Sequence, residues 1–285
     1  MKILIPTDFS KNAKRAIDYA LLLAAATKSS ITLVHVYGSA VTRKNLSYPL
    51  IQDEIASQVK VANKKLTELC SEISDDKIIP CKQKVMVGEI VEEITNEAKV
   101  NKADMIIMGT QGASGIEKIL FGSKTTSVIE KAPCPVLAIP QGAAIALPKR
   151  IVFATDYHDS DMRTLKSLTN LVERLNAELM ILHVSKEKLK SERDLIEQFS
   201  KAVAKETGSQ QPFYYVMSHE DTQKGIDLFV DSSGADMLAL STRKRSIFEK
   251  ILDSSLTKKM AYQSRLPLLA FQSGKSNQDS FNEDF

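Results

Sequence analysis

The heptapeptide Lys2-Ile3-Leu4-Ile5-Pro6-Thr7-Asp8 returns in the second half of the chain as Arg150-Ile151-Val152-Phe153-Ala154-Thr155-Asp156. The same interval relates Leu33-Val34-His35-Val36 to Ile181-Leu182-His183-Val184. Further along, positions 103–105 recur at positions 235–237, and positions 117–120 recur at positions 249–252, both at one shorter interval. Four matched stretches in the same order indicate a tandem duplication whose second copy is the shorter one.

Each copy alternates short apolar runs with segments of helical periodicity. In the first copy, the pattern predicts strands over residues 2–6, 30–36, 80–87, 103–108 and 136–139, and helices over residues 10–28, 51–71, 90–100 and 123–131. Strands that alternate with helices indicate βαβ units, and hence a parallel sheet with right-handed crossovers and helices on both faces. We therefore expect two tandem Rossmann-like α/β domains, over residues 1–141 and 149–273, followed by a polar tail over residues 274–285.

The composition excludes several classes of function. The chain of 285 residues is 43% hydrophobic and 26% charged, as in a soluble globular protein. The net charge of +3 is spread thinly and Trp is absent, so neither an electrostatic nor a stacking surface for nucleic acid is expected. No apolar run approaches the roughly 20 residues that span a bilayer, so we expect neither a membrane span nor a signal peptide.

Three cysteines, Cys70, Cys81 and Cys134, are an odd number and show no C-x-x-C spacing. From this count we expect neither a disulfide framework nor a structural zinc site. A reducing interior is then the natural environment, and a cytoplasmic location follows.

A glycine-rich loop follows the most apolar strand of the first copy. It begins as Gly109-Thr110-Gln111-Gly112-Ala113-Ser114-Gly115 and ends at Gly122-Ser123-Lys124-Thr125-Thr126, which leads into a helix. Glycines allow backbone amides to approach an anion closely, and the amides that open a helix face it with the positive end of the dipole. The segment therefore predicts a phosphate cradle.

Two better-known phosphate loops do not fit this segment. Six residues separate Gly115 from Gly122 and Ser123 precedes Lys124, so the Walker spacing is absent. No G-x-G-x-x-G follows the first strand, where the chain instead carries Pro6-Thr7-Asp8. In an open α/β sheet, ligands bind where the strand order reverses, which in a 3-2-1-4-5 sheet brings Asp8 and Gly109 to opposite lips of one crevice.

The spacing Gly109-x2-Gly112-x9-Gly122-Ser123 resembles that of the universal stress protein family. Pro6-Thr7-Asp8, His35-Val36 and the last-strand entry over residues 132–137 are similar to that family as well. The resemblance covers nearly the whole chain, once per copy. It implies a 3-2-1-4-5 sheet in each copy, and binding of ATP, ADP or AMP, with or without Mg²⁺, in members that keep the full glycine motif.

The resemblance also implies roles for residues of the first copy. Asp8 and Val36 would meet the adenine, Gly109 to Gly115 would wrap the ribose and phosphates, and the helix start would hold the phosphate tail. The candidate cofactor-binding residues are Pro6, Thr7, Asp8, Val36, Met108, Gly109, Thr110, Gly112, Gly115, Gly122, Ser123, Lys124 and Thr125. No catalytic and no metal-ligating residue is assigned.

The second copy departs from the glycine pattern. At the interval that relates positions 103–105 to positions 235–237, the four glycines are replaced by Ser241, Lys244, Ile247 and Ser254. Side chains then stand where bare backbone should meet phosphate, although Thr155, Asp156 and Val184 persist. We expect this copy not to bind ATP in the manner of the family.

Simpler structural interpretations stand beside these functional ones. Asp8 also suits a turn-closing role, and His35 and His183 suit a structural role at strand ends. His158, Asp159 and Asp161 resemble a loose metal cluster, yet capping of the next helix explains both aspartates. Cys134, between two prolines, is expected to be packed and inert.

Three hypotheses of function remain open at this point. The first is a nucleotide-binding module with the second copy as scaffold or surface for an unknown protein partner. The second is a slow ATPase or autophosphorylating protein with Ser123, Thr125 or Thr126 as phosphate acceptor, and the third is a scaffold whose nucleotide site is vestigial. In this family, domains commonly pair through their last strands, so we expect an internal pseudo-dimer through Val136–Ile139 and Leu268–Phe271, and a homodimer of the whole chain is a further possibility.

Overall fold

A computed structural model describes residues 1–38, 48–110, 121–157, 161–186, 193–207, 212–242 and 265–272. The elements of the first half are β1 (Lys2–Pro6), α1 (Lys11–Thr27), β2 (Ser30–Gly38), α2 (Tyr48–Lys77), β3 (Cys81–Gly88), α3 (Ile90–Val100), β4 (Met105–Gly109), α4 (Ser123–Lys131) and β5 (Val136–Ile139). Those of the second half are β6 (Arg150–Ala154), α5 (Asp161–Leu175), β7 (Glu178–Ser185), α6 (Arg193–Thr207), β8 (Phe213–Ser218), α7 (Thr222–Ser233), β9 (Met237–Ser241) and β10 (Leu268–Phe271).

Local signals explain where the helices begin and end. The Ser10 hydroxyl accepts a hydrogen bond from the Ala13 amide at 3.2 Å and caps α1, which ends at Lys28 in the left-handed conformation. Asp221 caps α7 in the same way, and Gly234 ends it at φ 64°. Strands β4 and β5 are almost entirely buried, as expected of central strands covered by helices on both faces.

The ten strands of the described residues form one sheet in the order β3-β2-β1-β4-β5-β10-β9-β6-β7-β8. Within each half the pairing is parallel and follows the predicted 3-2-1-4-5 order, which confirms the fold class. The halves join through β5 and β10, which pair antiparallel with Leu269 opposite Leu137. The expected internal pseudo-dimer is therefore confirmed as a continuous sheet.

The hydrophobic core is shared between the two halves. One cluster of buried side chains covers the α1, α2 and α5 face of the sheet, and a second cluster covers the α3, α4 and α7 face. Each cluster contains residues of both halves, such as Leu137 and Leu269 in the first. The seam between β5 and β10 is thus part of the core. Across the described residues, no helix combines the length and the apolar character that crossing a membrane requires.

The cysteines correct one prediction from the sequence. Cys70 of α2 and Cys81 of β3 form a disulfide, with their Cα atoms 5.5 Å apart. The chain reverses between α2 and β3 within 11 residues, and this reversal, which a count of cysteines does not reveal, brings the two thiols together. Cys134 is free and buried as expected, and burial raises the pKa of its thiol to about 12, which keeps it protonated and unreactive.

Candidate functional site

The turn after the first strand has the same hydrogen bonds in both halves. In the first half, the Thr7 amide donates to the Val34 carbonyl at 2.8 Å, and the Thr7 carbonyl accepts from His35 Nδ1 at 2.8 Å. In the second half, His183 Nδ1 donates to the Thr155 carbonyl at 2.9 Å. Both histidines therefore hold the carboxyl end of a central strand, and their Nδ1 atoms are committed to that structural role.

An aromatic residue that the sequence analysis did not single out completes this turn. Phe9 and Tyr157 both have φ of 60°, in the left-handed region that aromatic side chains rarely adopt. Their rings pack on His35 and His183, with centroids 4.8 and 4.7 Å apart. The recurrence of an aromatic residue directly after each Thr-Asp pair is the signal that could have found them. A strained backbone at the same place in both halves fixes the shape of the crevice wall.

Asp8 lies exposed on this turn, where its Oδ1 atom accepts from the Ser10 amide at 3.0 Å. The turn-closing role considered from the sequence is thus present. Val36 lies beyond the end of β1, because Pro6, the last residue of β1, pairs with Val34 while β2 continues to Gly38. Asp8 and Val36 therefore belong to the same edge of the sheet.

Gly109 ends β4 next to the first turn of α1. A Cβ atom at this position would lie 3.0 Å from the Asn12 carbonyl oxygen and 3.1 Å from its carbon, so a side chain here would push the Asn12 backbone away by a few tenths of an ångström. The Thr110 amide donates to the Ile139 carbonyl at 3.1 Å, which anchors the start of the glycine-rich segment to β5. Gly109 and Thr110 thus form a rigid lip opposite the turn that carries Asp8.

Gly122 is the N-cap of α4, and its described environment does not require a glycine. Its φ of −67° suits any residue, and among the described atoms a Cβ would contact only the Thr110 carbonyl oxygen, at 3.4 Å. The Gly122 amide donates to that same carbonyl, at 2.6 Å. The bare backbone at Gly122 therefore leaves space at the start of α4 that the described part of the fold does not use.

The N-terminus of α4 is electropositive. Within the described ranges no side chain caps α4, and its first turn has no acidic residue, whereas the Asp221 carboxylate caps α7 by accepting from the Gln223 and Lys224 amides. Ser123 and Lys124 are exposed in the first turn of α4. The amides that open α4, together with the Lys124 ammonium, form a set of donors for an anion.

Thr125 has a different role from Ser123 and Lys124. It is only 4% exposed, and its hydroxyl donates to the Gly109 carbonyl at 3.0 Å. Thr125 therefore holds the two ends of the glycine-rich segment together. Met108 is buried within β4, behind the crevice, while Gly112 and Gly115 lie outside the described residues.

The second half carries a buried carboxylate at its equivalent turn. Asp161, which replaces Ala13 at the interval that relates Asp8 to Asp156, is 3% exposed and accepts a 2.6 Å hydrogen bond from the Thr155 hydroxyl. Ser241 ends β9 where Gly109 ends β4. Of the second-half residues singled out in the sequence, five lie outside the described ranges: His158, Asp159, Lys244, Ile247 and Ser254. Among the residues that are described, no cluster of three His, Cys, Asp or Glu side chains is arranged for a metal ion.

Asp227 of α7 is a second unusual carboxylate of this half. Within the described part of the chain, its buried Oδ1 atom has no hydrogen-bond partner. Burial, and to a lesser extent the nearby Asp231 and Asp221 carboxylates, raise the pKa of Asp227 to about 7. The protonated form of Asp227 is therefore favoured in the folded state over the range between its unfolded pKa of about 3.9 and about 7.

We predict that Asp227→Asn removes a pH-dependent loss of stability. The raised pKa stabilises the fold fully below about pH 4, and this contribution is lost as the pH rises through about 7, where the folded carboxyl ionises. Because the group is half-buried, solvent screening limits the effect to about 1 kcal/mol, or roughly 2–4 °C in Tm. Thermal unfolding at pH 5 and pH 8 should show the substitution raising Tm more at pH 8, and an equal shift at both pH values would contradict the assignment.

The fold defines a tandem protein of the doubly wound α/β class, with one parallel half-sheet and one set of strand-end turns per half. A sequence model of the universal stress protein family matches residues 1–140 and again residues 148–272. The chain belongs to the universal stress protein family, with two copies of the family's domain in tandem.

Similar proteins agree with this assignment. Universal stress protein YxiE from Bacillus subtilis is 28% identical in an alignment of 144 positions that covers 48% of this chain and 97% of YxiE. Universal stress protein MJ0577 from Methanocaldococcus jannaschii is 29% identical in an alignment of 151 positions that covers 48% of this chain and 93% of that protein. The crystal structure of a universal stress protein from Archaeoglobus fulgidus covers 96% of this chain and 98% of its own at a TM-score of 0.76 and 21% identity, and so shares the tandem fold.

Proposed function

We propose that the first half binds an adenine nucleotide, with ATP as the preferred ligand and ADP and AMP as weaker ones, in the crevice between β1 and β4. The proposed domain boundaries, residues 1–141 and 149–273 with a tail over residues 274–285, assign this site to the first domain. The observation that carries the proposal is the start of α4. Among the described residues, no side chain caps its first amides, and the packing around its N-cap residue Gly122 does not require a glycine.

The phosphates would lie at the start of α4. The Ser123 and Lys124 amides, the Ser123 hydroxyl and the Lys124 ammonium all belong to its exposed first turn. Charge-assisted hydrogen bonds of this kind contribute about 1.5–3 kcal/mol each. Thr125 would act as a positioning residue, since its hydroxyl is engaged by the Gly109 carbonyl. Gly112 and Gly115 would supply further backbone donors along the phosphates.

The adenine would lie on the other side of the crevice. Pro6 and Thr7 end the wall, Asp8 offers a carboxylate to an exocyclic amine, and the backbone of Val36 offers an edge for the base. The tilted ring contact of Phe9 with His35 supports this turn. A Mg²⁺ ion would draw its ligands from the phosphates and water rather than from Asp8, which this arrangement assigns to the adenine.

The second half is proposed to bind no nucleotide. The buried Asp161 side chain, which accepts a hydrogen bond from the Thr155 hydroxyl, occupies its equivalent turn where the first half carries Ala13. Ser241 replaces Gly109, and Lys244 replaces Gly112. This half would serve as a scaffold and as a surface for a partner protein.

The position of Thr125 bears on the alternative of autophosphorylation. Thr125 is buried and its hydroxyl donates to a carbonyl, so attack on a phosphate would require the glycine-rich segment to open. Ser123 is exposed and is the better acceptor of the two. Binding rather than phosphoryl transfer is therefore the function that the geometry supports best.

A matched pair of variants tests the proposal. Asp8→Ala and Asp156→Ala remove the same carboxylate from equivalent turns of the two halves. We expect Asp8→Ala to weaken ATP binding about tenfold, as loss of one charge-assisted hydrogen bond predicts, and Asp156→Ala to leave the affinity unchanged. Titration calorimetry with ATP measures both. Equal effects of the two substitutions, or no effect of Asp8→Ala, would contradict the assignment of the adenine to the first half.

A further inference from the structure

The two outer strands of the ten-stranded sheet occupy equivalent places in the duplicated fold. Lys82 of β3 pairs with Thr32 of β2. Phe213 of β8 pairs with Met180 of β7. Met180 is the repeat equivalent of Thr32, because the two are separated by the same number of residues as Asp8 and Asp156. Lys82 and Phe213 therefore stand at the same position of the two outer strands, so the edges can be compared residue by residue.

The β3 edge is ionic. Lys82 and Lys84 are both exposed on this strand. The Lys84 ammonium forms an ion pair with the Glu97 carboxylate of α3 at 2.5 Å, and the Asn101 side chain donates to the same carboxylate at 2.8 Å. Lysines on an edge strand disfavour its pairing with another strand, because a second strand would have to cover their charge.

The β8 edge is apolar at the matching positions. Phe213 replaces Lys82 and is 55% exposed, and Tyr215 replaces Lys84 and is 38% exposed. The ion pair of Lys84 with Glu97 is replaced by a ring contact of Tyr215 with Phe229, whose centroids lie 4.9 Å apart. No residue of β8 is charged.

The helix beside β8 extends the apolar surface. Leu228 of α7 is 55% exposed. In the repeat it corresponds to Asn96 of α3, just as Phe229 corresponds to Glu97. We call Phe213, Tyr215 and Leu228, together with the outer backbone of β8, the β8 surface. Three large apolar side chains take the place of two lysines and an asparagine, a gain in exposed apolar surface that solubility alone would disfavour. The change at the end of the strand is smaller and opposite, since the exposed Val87 of β3 corresponds to Ser218 of β8.

We propose that the β8 surface is the interface through which two copies of this chain associate, with β8 of one copy antiparallel to β8 of the other. Among the described residues, β7 is the only strand that pairs with β8, so the outer amides and carbonyls of β8 are available to a further strand. A symmetric dimer requires a surface that matches itself. An uncharged edge does so, whereas β3 would place lysines opposite lysines.

The sheet already contains a joint of the required kind. β5 and β10 pair antiparallel between two right-twisted parallel halves. Pairing of β8 with its own copy would repeat that geometry and join two ten-stranded sheets into one. The aromatic side chains would then be covered across the two-fold axis, which adds hydrophobic burial to the backbone hydrogen bonds.

The test compares the two edges of the same chain. Phe213→Lys/Tyr215→Lys restores on β8 the charges that β3 carries, while Lys82→Arg, which changes the β3 edge but keeps its charge and the ion pair of Lys84 with Glu97, is the control. Analytical ultracentrifugation over a range of concentrations should give wild type and the control a mass of twice 31.5 kDa. The β8 variant should dissociate with a Kd at least tenfold higher. Leu228→Asn, a milder change on the adjacent helix, should weaken the dimer in the same direction.

Three outcomes would overturn the proposal. If the wild-type protein stays monomeric even at 100 times the lowest concentration tested, a second copy of the chain does not bind the β8 surface. A β8 variant that remains dimeric would assign the dimer to another surface. If circular dichroism shows that the β8 variant is unfolded, the Leu228→Asn variant decides in its place: a native spectrum with an unchanged dimer rejects the β8 surface, and a native spectrum with a weakened dimer supports it.

Discussion

Gly122→Ser is expected to lower the affinity for ATP at least tenfold while leaving the fold intact. The introduced hydroxymethyl group would project into the space at the start of α4, where the one described atom nearby is the Thr110 carbonyl oxygen at 3.4 Å. It would displace the phosphates from the α4 amides, and the loss of one charge-assisted hydrogen bond accounts for a factor of ten or more. Because serine is a good N-cap residue, Tm should be unchanged or slightly higher.

The separation of binding from stability is what makes Gly122→Ser informative. A substitution at Gly109 would not separate them, since its Cβ atom would meet the Asn12 backbone at 3.0 Å and disturb the packing of β4 on α1. Titration calorimetry and thermal unfolding of the same preparation give both quantities. Full ATP affinity in a stable Gly122→Ser variant would place the phosphates elsewhere.

Leu269→Ala is expected to destabilise the whole chain by about 2–5 kcal/mol, the range for deletion of a fully buried leucine side chain. Leu269 lies on β10 opposite Leu137 of β5, and both are fully buried in a cluster that contains residues of both halves. Since this cluster crosses the seam, the variant should unfold in one transition at lower denaturant concentration.

Urea unfolding followed by circular dichroism measures this effect. Val100→Ala is the control, because Val100 is 75% exposed on α3 and its truncation should change the free energy of unfolding by less than about 0.5 kcal/mol. Two separate transitions in the wild-type protein would show that the halves unfold independently. That result would contradict the account of the seam as shared core.

Much of the architecture could be predicted from hydrophobic periodicity and the repeat. The bounds of α3, α4, β1 and β5 agree with those predicted, because each is a short apolar or amphipathic run with clear ends. The pairing of β5 with β10 was implied by the resemblance to the family, and the two short apolar edges suit it. Helix α2 is longer than predicted, Tyr48–Lys77 rather than residues 51–71. Pro49 near its start disguises the helix there, and residues 74–77 at its end are polar.

The features that could not be predicted depend on contacts between distant parts of the chain. The disulfide between Cys70 and Cys81 requires the reversal after α2. The hydrogen bond from the Thr125 hydroxyl to the Gly109 carbonyl forms only because α4 packs against the end of β4. The sequence motif alone treats Ser123 and Thr125 as equivalent candidate ligands. The left-handed backbone of Phe9 goes together with its packing on His35, a contact between two strand ends that lie far apart in the sequence.

The most direct test of the proposed function is the number of ATP molecules bound per chain at saturation, measured by equilibrium dialysis. The account predicts one ATP per chain, lost in Gly112→Lys, which copies the Lys244 of the second half. Two per chain would contradict the assignment of the second half as unable to bind nucleotide. No bound ATP would reject the nucleotide site of the first half and favour a scaffold.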